Sequence, residues 1–297
     1  MTYSLIGRDP TNGEVGAAVQ SKFPGVGSIV LHGNAEAGCI TTQAFANPRH
    51  GEIGLKLLSL GATATEVLTV LLRTDDNCEE RQIALLGMSQ PPTAFTGVEV
   101  QQWDGFSGHM NGADCVASGN CLAGKNVLEA MIAAFGIAPG DLSDRLVAGL
   151  RAGRDAGGEL RGQQSAALLV VKSGGGYGGQ DGRHVDISVY DHPAPIEELH
   201  RCLELHRLSY FPTDPKNLIE IDGPIARELK NIMRIAGFHD FPDTPNWEHG
   251  EISTFQRFMG RENYDNRLRS DRFVDLEVLH DLKGRFAIQE YRNVSDR

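Results

Sequence analysis

The chain has 297 residues, enough for one large domain with a small one, or for two modest ones. Hydrophobic residues make up 40% of it, ample for a buried core, while 39 acidic against 28 basic residues give a formal net charge of −11. That balance argues against nonspecific binding to nucleic acid or to an anionic membrane surface, and no stretch approaches the roughly 18 apolar residues of a membrane span.

Residues 2–8 and 15–22 read as strands. Between them Asp9-Pro10-Thr11-Asn12-Gly13 carries dense turn chemistry, and Asn-Gly is the strongest short hairpin signal. Segments 28–32 and 37–44 read as a second, Gly-punctuated strand pair. The period then changes: residues 51–59 read as a helix closed by Gly61. Thr63-Ala64-Thr65-Glu66 is a capping-box pattern that starts another, with Val67, Leu68, Leu71 and Leu72 as its apolar stripe.

Strands are expected around 81–87, 92–96, 100–106 and 114–119. A helix follows with Val127, Leu128, Met131, Ile132 and Phe135 at helical spacing. Another starts near Asp141 and carries Leu142, Leu146, Val147 and Leu150. The continuous apolar run 166–171 suits a strand buried on both faces. After the glycine cluster 174–179, Val185, Ile187 and Val189 alternate with polar residues, and Pro195 opens a last helix. Hairpins dominate the strand connections, so the sheets should be largely antiparallel. Two such sheets face to face with helix pairs outside give a four-layer α/β/β/α sandwich for residues 1–210, of the α+β class.

From Ser209 to Pro215 the chain reads as a linker with two prolines. Beyond it, residues 211–297 form a small helical domain marked by Ile225, Leu229, Ile232 and Met233, by Phe255 and Phe258, and by Val274 to Leu282; Asn293 to Arg297 read as a frayed tail. Five cysteines form no CxxC pair, which suits a reducing compartment and packed thiols rather than zinc. Arg8 and Asp9 interrupt any early apolar run, so no signal peptide is read and a cytoplasmic protein is expected. No metal or other cofactor is expected: the glycine cluster lacks the Lys-Ser/Thr of a phosphate loop and the spacing of a dinucleotide fingerprint.

Thr2 poses the chemical question. It is either an ordinary strand-starting residue or, once the initiator Met is removed, an N-terminal nucleophile whose own α-amine is the base, with a reference pKa of about 7.7–8. A turn at residues 10–13 sets residue 2 across from residues 21–23, which brings Lys22 near Thr2, where an ammonium would favour the deprotonated hydroxyl. Alternatively Lys22 is a solvated strand-end lysine. Ser4 shares a strand face with Thr2 and is either a substrate-side hydroxyl or packed. Arg161, with Gln164 and Ser165 at the mouth of the buried strand, either pairs with a substrate carboxylate or with Glu159 or Asp155. Arg8 and Asp9 are read as fixing the first turn, and the lone histidines His50 and His109 receive no role.

At this point the chain resembles a family. The stretches Thr2 to Asp9, Ala18 to Gly27, Thr41-Thr42-Gln43, Arg81-Gln82, Trp103-Asp104-Gly105, Gly119-Asn120-Cys121-Leu122 and Arg161 to Leu168 resemble the bacterial domain of unknown function 1028, which is similar to N-terminal-nucleophile hydrolases. The resemblance covers about residues 1–205. It implies the same sandwich, Thr2 as nucleophile, Lys22 as neighbouring base-side cation and Asn120 as oxyanion donor, with Cys121 standing where an aliphatic residue is expected. It implies amide-bond chemistry by analogy alone.

Segment 217–283 resembles a peptidoglycan-binding module that often trails this family. The missing export signal points instead to an accessory domain that borrows the fold. The expected function is an amidohydrolase acting on a small amide or N-acyl compound; the alternative is a noncatalytic small-molecule-binding protein on the same fold. The expected partners are a small-molecule substrate and further copies of the chain, a dimer or higher homo-oligomer, with no nucleic acid and no membrane.

Overall fold

Asp9 closes the first hairpin: its Oδ1 accepts the Thr11 N–H at 2.9 Å, and Gly13 turns the chain with φ +67°. The computed structural model describes residues 2–242, 244 and 246–295. In chain order the first part comprises β1 (Thr2–Asp9), β2 (Glu14–Ser21), α1 (Gly27–Val30), β3 (Leu31–Asn34), β4 (Gly38–Ala44), α2 (Arg49–Ser59), α3 (Ala64–Arg73), β5 (Arg81–Gly87), β6 (Thr93–Thr96), α4 (Val98–Gln101), β7 (Phe106–Asn111), β8 (Cys115–Leu122), α5 (Asn126–Ile137), α6 (Leu142–Asp155), β9 (Ser165–Lys172), β10 (Arg183–Val189) and α7 (Pro195–Tyr210).

It is a mixed α/β arrangement. One antiparallel sheet runs β10-β9-β2-β1-β8-β7 and a second runs β3-β4-β5-β6. Strand alternation sorts the side chains. Ile6, Val15, Ala17, Val116, Leu169 and Val171 of the first sheet meet Cys39, Ala84 and Leu86 of the second in one buried cluster. The other face of the second sheet packs Ile40, Ile83 and Leu85 on Leu58, Val67 and Leu71 of α2 and α3. On the other face of the first sheet Gly149 of α6 lies so close to Leu5 that a Cβ would stand 2.3 Å from its Cδ2, and the Tyr3 hydroxyl donates to the Leu150 carbonyl at 3.3 Å. Each fully buried aliphatic or aromatic side chain stabilises the fold by roughly 1.5–3 kcal/mol.

The capping box at Thr63 and Glu66 is formed as the sequence suggests. Two expected strands are not. Residues 27–30 form a helical turn, with the Val30 N–H donating to the Val26 carbonyl at 3.1 Å and both valines buried with Val19 and Ala167; the strand starts only at Leu31. Residues 98–101 likewise form a turn of helix, started where the Val98 N–H donates to Glu79 Oε2 at 2.8 Å; the strand begins at Phe106. Arg8 does not hold the first turn: its Nε donates to Asp114 and its Nη1 to the Gly87 and Gln90 carbonyls.

The chain divides into two compact units between Leu203 and Glu204, inside α7, which runs on through Ser209 to Tyr210 where a linker was expected. The second unit contains β11 (Leu218–Glu220), α8 (Gly223–Ile235), α9 (His249–Arg261), β12 (Phe273–Asp275) and α10 (Leu276–Ser295), so a small antiparallel sheet accompanies its helices. Its core joins Leu229, Ile232 and Met233 of α8 to Phe255, Phe258 and Met259 of α9 and to Val278, Leu279 and Leu282 of α10. Helical backbone continues through Ser295 where a tail was expected; Asp296 and Arg297 lie outside the described residues. Among the described residues no helix is long and apolar enough to cross a membrane.

Gly38 shows how closely β4 meets β5. Its φ is +140°, and a Cβ there would stand 2.3 Å from the Leu86 carbonyl oxygen and 2.9 Å from the Gly87 Cα, backbone atoms that cannot step aside. Gly38→Ala is therefore expected to cost at least about 2 kcal/mol in chemical denaturation; an unchanged unfolding midpoint would contradict this packing.

Candidate functional site

A cleft of about 430 Å³ opens at the end of β1. Thr2 lies on its wall because β1 alternates: Thr2, Ser4 and Ile6 face the second sheet, while Tyr3 and Leu5 face α6. The hairpin register pairs Thr2 with Ser21, and the two hydroxyl oxygens stand 3.0 Å apart, either able to donate. Both residues are buried and both line the cleft.

The backbone N–H of Thr2 donates to Asn120 Oδ1 at 3.0 Å. The orientation of that amide follows from its neighbours. Gln82, buried on β5, donates from Nε2 to the Gly108 and Gly119 carbonyls, both at 2.9 Å, and to Thr96 Oγ1 at 3.0 Å. Carbonyls only accept, so this end of Gln82 is the nitrogen and its Oε1 faces the other way. Oε1 then accepts from Asn120 Nδ2 at 2.9 Å and from Gln43 Nε2 at 2.7 Å. Asn120 is left presenting its oxygen to Thr2. Gln43 lines the cleft, and its own Oε1 is buried with no hydrogen-bond partner among the described residues.

The cleft also brings in Arg161, whose Nε donates to Glu159 Oε1 at 2.7 Å. The Glu159 carboxylate is wholly buried and its Oε2 accepts the Lys22 N–H at 2.8 Å. Burial pushes the Glu159 carboxyl above its ordinary range, against the Lys22 N–H and the Arg161 guanidinium, which favour the charged form. Here the 40s turn completes the wall. Ala44 takes φ +69°, the Phe45 N–H donates to the Glu80 carbonyl at 3.2 Å, and Arg81 Nη1 donates to the Phe45 carbonyl at 2.7 Å. Arg81 is itself held by Asp75, through Nε at 2.9 Å and Nη2 at 3.3 Å, and His50 Nε2 approaches Asp75 at 3.0 Å.

Several expected site residues are placed otherwise. The register ends at Ser21, so Lys22 falls one residue beyond Thr2's partner, where alternation turns it to the other face. It is exposed, its Nζ donates to the Gln163 carbonyl at 3.2 Å, and it does not line the cleft. Ser4 is buried between the sheets with its hydroxyl donating to Thr41 Oγ1 at 3.5 Å, too deep to meet a substrate. Gln164 ties loops by its backbone, its N–H donating to the Ser21 carbonyl at 3.0 Å and its carbonyl accepting from His192, and is also absent from the lining. Asn120 is at the site, where its Oδ1 accepts from the nitrogen of Thr2 and its Nδ2 donates to Gln82 Oε1. Ser21, Gln43 and Gln82 carry no role assigned from the sequence, although all three sit inside the quoted motifs. The available signal was an amide side chain inside an otherwise apolar strand, as in Gln82-Ile83-Ala84-Leu85-Leu86. Among the described residues no group of three His, Cys, Asp or Glu is placed to hold a metal.

The chain belongs to the family of unknown function DUF1028, whose match spans residues 2–199. It is similar to the crystal structure of protein SPO2555 from Silicibacter pomeroyi, assigned to the same family, at 29% identity and a TM-score of 0.62 over 69% of this chain and 89% of that one. A remote match, at 11% identity and a TM-score of 0.31 over 58% of this chain and 98% of that one, is Thiobacillus denitrificans BPH in complex with epoxomicin, too distant to bear on the chemistry. No curated protein matches the chain.

Two outcomes follow from the polar contacts. Gln82→Ala strands the Asn120 and Gln43 amides and the carbonyls of buried Gly119 and half-buried Gly108, and should cost about 2–4 kcal/mol in urea denaturation; a loss below about 0.5 kcal/mol would show that the network is dispensable. For Asp75, burial alone would raise the carboxyl, but Arg81, the Asn77 N–H and Asn47 outweigh it and bring it from 3.8 to about 2. The folded chain then binds fewer protons than the unfolded one. Its contribution to stability is complete above about pH 4 and is lost as pH falls toward about 2. Melting temperatures of wild type and Asp75→Asn should therefore converge over that window and stay apart above it.

Proposed function

We propose that this protein is an N-terminal-nucleophile amidohydrolase built on a four-layer α/β/β/α sandwich, and that it cleaves small amide or N-acyl compounds through Thr2. The observation that carries the reading is one geometry. The nitrogen of Thr2 is held by a buried, orientation-locked amide oxygen, its hydroxyl lies 3.0 Å from Ser21 Oγ, and both groups stand on the wall of a cleft. The antiparallel sheets and the helices packed on them support the sandwich.

Removal of the initiator Met would turn the Thr2 N–H into an α-amine. Asn120 Oδ1 would accept a hydrogen bond from one of its N–H groups and leave the nitrogen lone pair for the hydroxyl. Thr2 Oγ1 then attacks the substrate carbonyl carbon as the amine takes its proton, directly or through one water. The tetrahedral adduct collapses, the C–N bond breaks, and the proton passes to the leaving amine. Water adds to the Thr2 ester, the amine takes a proton from it, and release of the acid restores Thr2. Ser21 serves as the hydroxyl partner that positions Thr2 Oγ1.

A noncatalytic binding protein using the same cleft is the competing reading. The observation in its favour is Lys22, which hydrogen-bonds Gln163 rather than approaching Thr2.

Intact mass should show the loss of one Met residue. Against a panel of amides and N-acyl compounds, Thr2→Ala should abolish turnover, Thr2→Ser should keep part of it, and Lys22→Ala should leave kcat within about twofold. Because the amine must be neutral, kcat/KM should fall as pH drops below about 8. Full turnover in Thr2→Ala would exclude this nucleophile, and ligand retention with no turnover anywhere in the panel would favour the binding protein.

A further inference from the structure

The cleft has two chemically distinct walls. One is hydrocarbon: Phe23, Val26, Ile29 and Val30 after β2 and in α1, and Phe45 from the turn after β4. Phe23 is 51% exposed and Phe45 61% exposed, a large aromatic area left in contact with water at the mouth. Phe45 is held in that position. Its backbone is pinned by Glu80 and Arg81, the preceding Ala44 takes φ +69°, and its ring meets Trp103 edge-on at 5.6 Å. A non-glycine residue in the left-handed region costs about 1–2 kcal/mol, so the presentation of this ring is maintained against backbone strain.

The second wall is charged. Arg81 donates to Asp75 from Nε and Nη2, and to the Phe45 carbonyl and Glu80 from Nη1, so its charge is met by protein groups. Arg161 differs. Its Nε is braced by the buried Glu159 carboxylate, and its side chain is 43% exposed on the cleft. A guanidinium braced by a buried carboxylate and presented to a cleft suits a carboxylate. At about 430 Å³ the space falls in the range that holds a drug-sized ligand.

We propose that the cleft takes N-acyl amino acids whose acyl group is a hydrocarbon arm: the arm packs on the Phe23–Phe45 wall and the carboxylate meets Arg161. The inference rests on reading this cleft as the substrate site, and it deepens that reading by naming the substrate class.

The test is equilibrium binding by calorimetry to processed full-length Thr2→Ala, with N-acetylglycine, N-hexanoylglycine and N-phenylacetylglycine and the matching glycinamides as probes. Each methylene that reaches the wall is worth up to about fourfold, so hexanoyl should bind at least about 30-fold more tightly than acetyl. Adding Phe45→Ala should cut that gain below about threefold, while Phe45→Leu should keep most of it. Adding Arg161→Met should weaken the acids at least about tenfold and leave the amides within about twofold. Phe45 and Arg161 are both exposed, and unchanged melting curves will establish that these variants fold. Equal binding of acetyl and hexanoyl compounds, or equal losses for acids and amides in Arg161→Met, would overturn the proposal. Failure of the hydrolase reading has a different signature: wild type would show the same selectivity in binding and hydrolyse none of the series.

Discussion

The side-chain amide of Gln82 is the constraint on which the site depends. Two carbonyls that can only accept define which end of Gln82 is nitrogen. From there the orientation passes by necessity to Asn120 and then to Thr2. The network joins β5 of one sheet to β1, β7 and β8 of the other, so the position of Thr2 is determined by the packing of two sheets and not by its own strand alone. In a low-dielectric interior, each of these hydrogen bonds is costly to leave unmade, and this makes the arrangement specific.

The same logic separates what was legible in the sequence from what was not. Asn-Gly turns, the capping box at Thr63 and the switch between two-residue and helical spacing are local signals, and local physics is enough to read them. The hairpin at residues 9–13 brought Thr2 to the right end of β2 but could not settle the register to one residue. That single step exchanged Ser21 for Lys22 as the neighbour of Thr2. Residues 27–30 look like a strand by composition and instead form a turn of helix, with Val26 and Val30 buried together, so that the strand is delayed to Leu31.

Asn120 was visible as a site residue through family resemblance, yet its role was not. Which end of its amide faces Thr2 depends on Gln82, nearly forty residues away in the chain. No spacing rule connects an amide on β5 to a glycine carbonyl on β8. Gln43 and Gln82 stood inside motifs that marked the family, and only the paired sheets reveal that their function is to orient one another. Arg161 was left with two readings, a partner for Glu159 or for a substrate; the structure pairs its Nε with Glu159 and still sets it on the cleft. A side chain with five N–H donors can do both.

Unfavourable local features gather around the cleft. Of the non-glycine residues with positive φ among those described, Ala44 is on its wall and Cys121 directly follows Asn120; Asn263, in the other unit, is a residue type that tolerates this conformation. Gln43 adds a buried acceptor without a partner. Burial raises the carboxyl of Glu159 behind Arg161. The left-handed backbones and the unpartnered acceptor each cost on the order of 1–3 kcal/mol, in a fold whose net stability is only about 5–15 kcal/mol. A protein optimised for stability alone would shed such features readily, by glycine at position 44 or 121 or by an apolar residue at position 43. Two of them, the Ala44 backbone and the Gln43 amide, stand on the cleft wall with Thr2, where packing alone does not account for them.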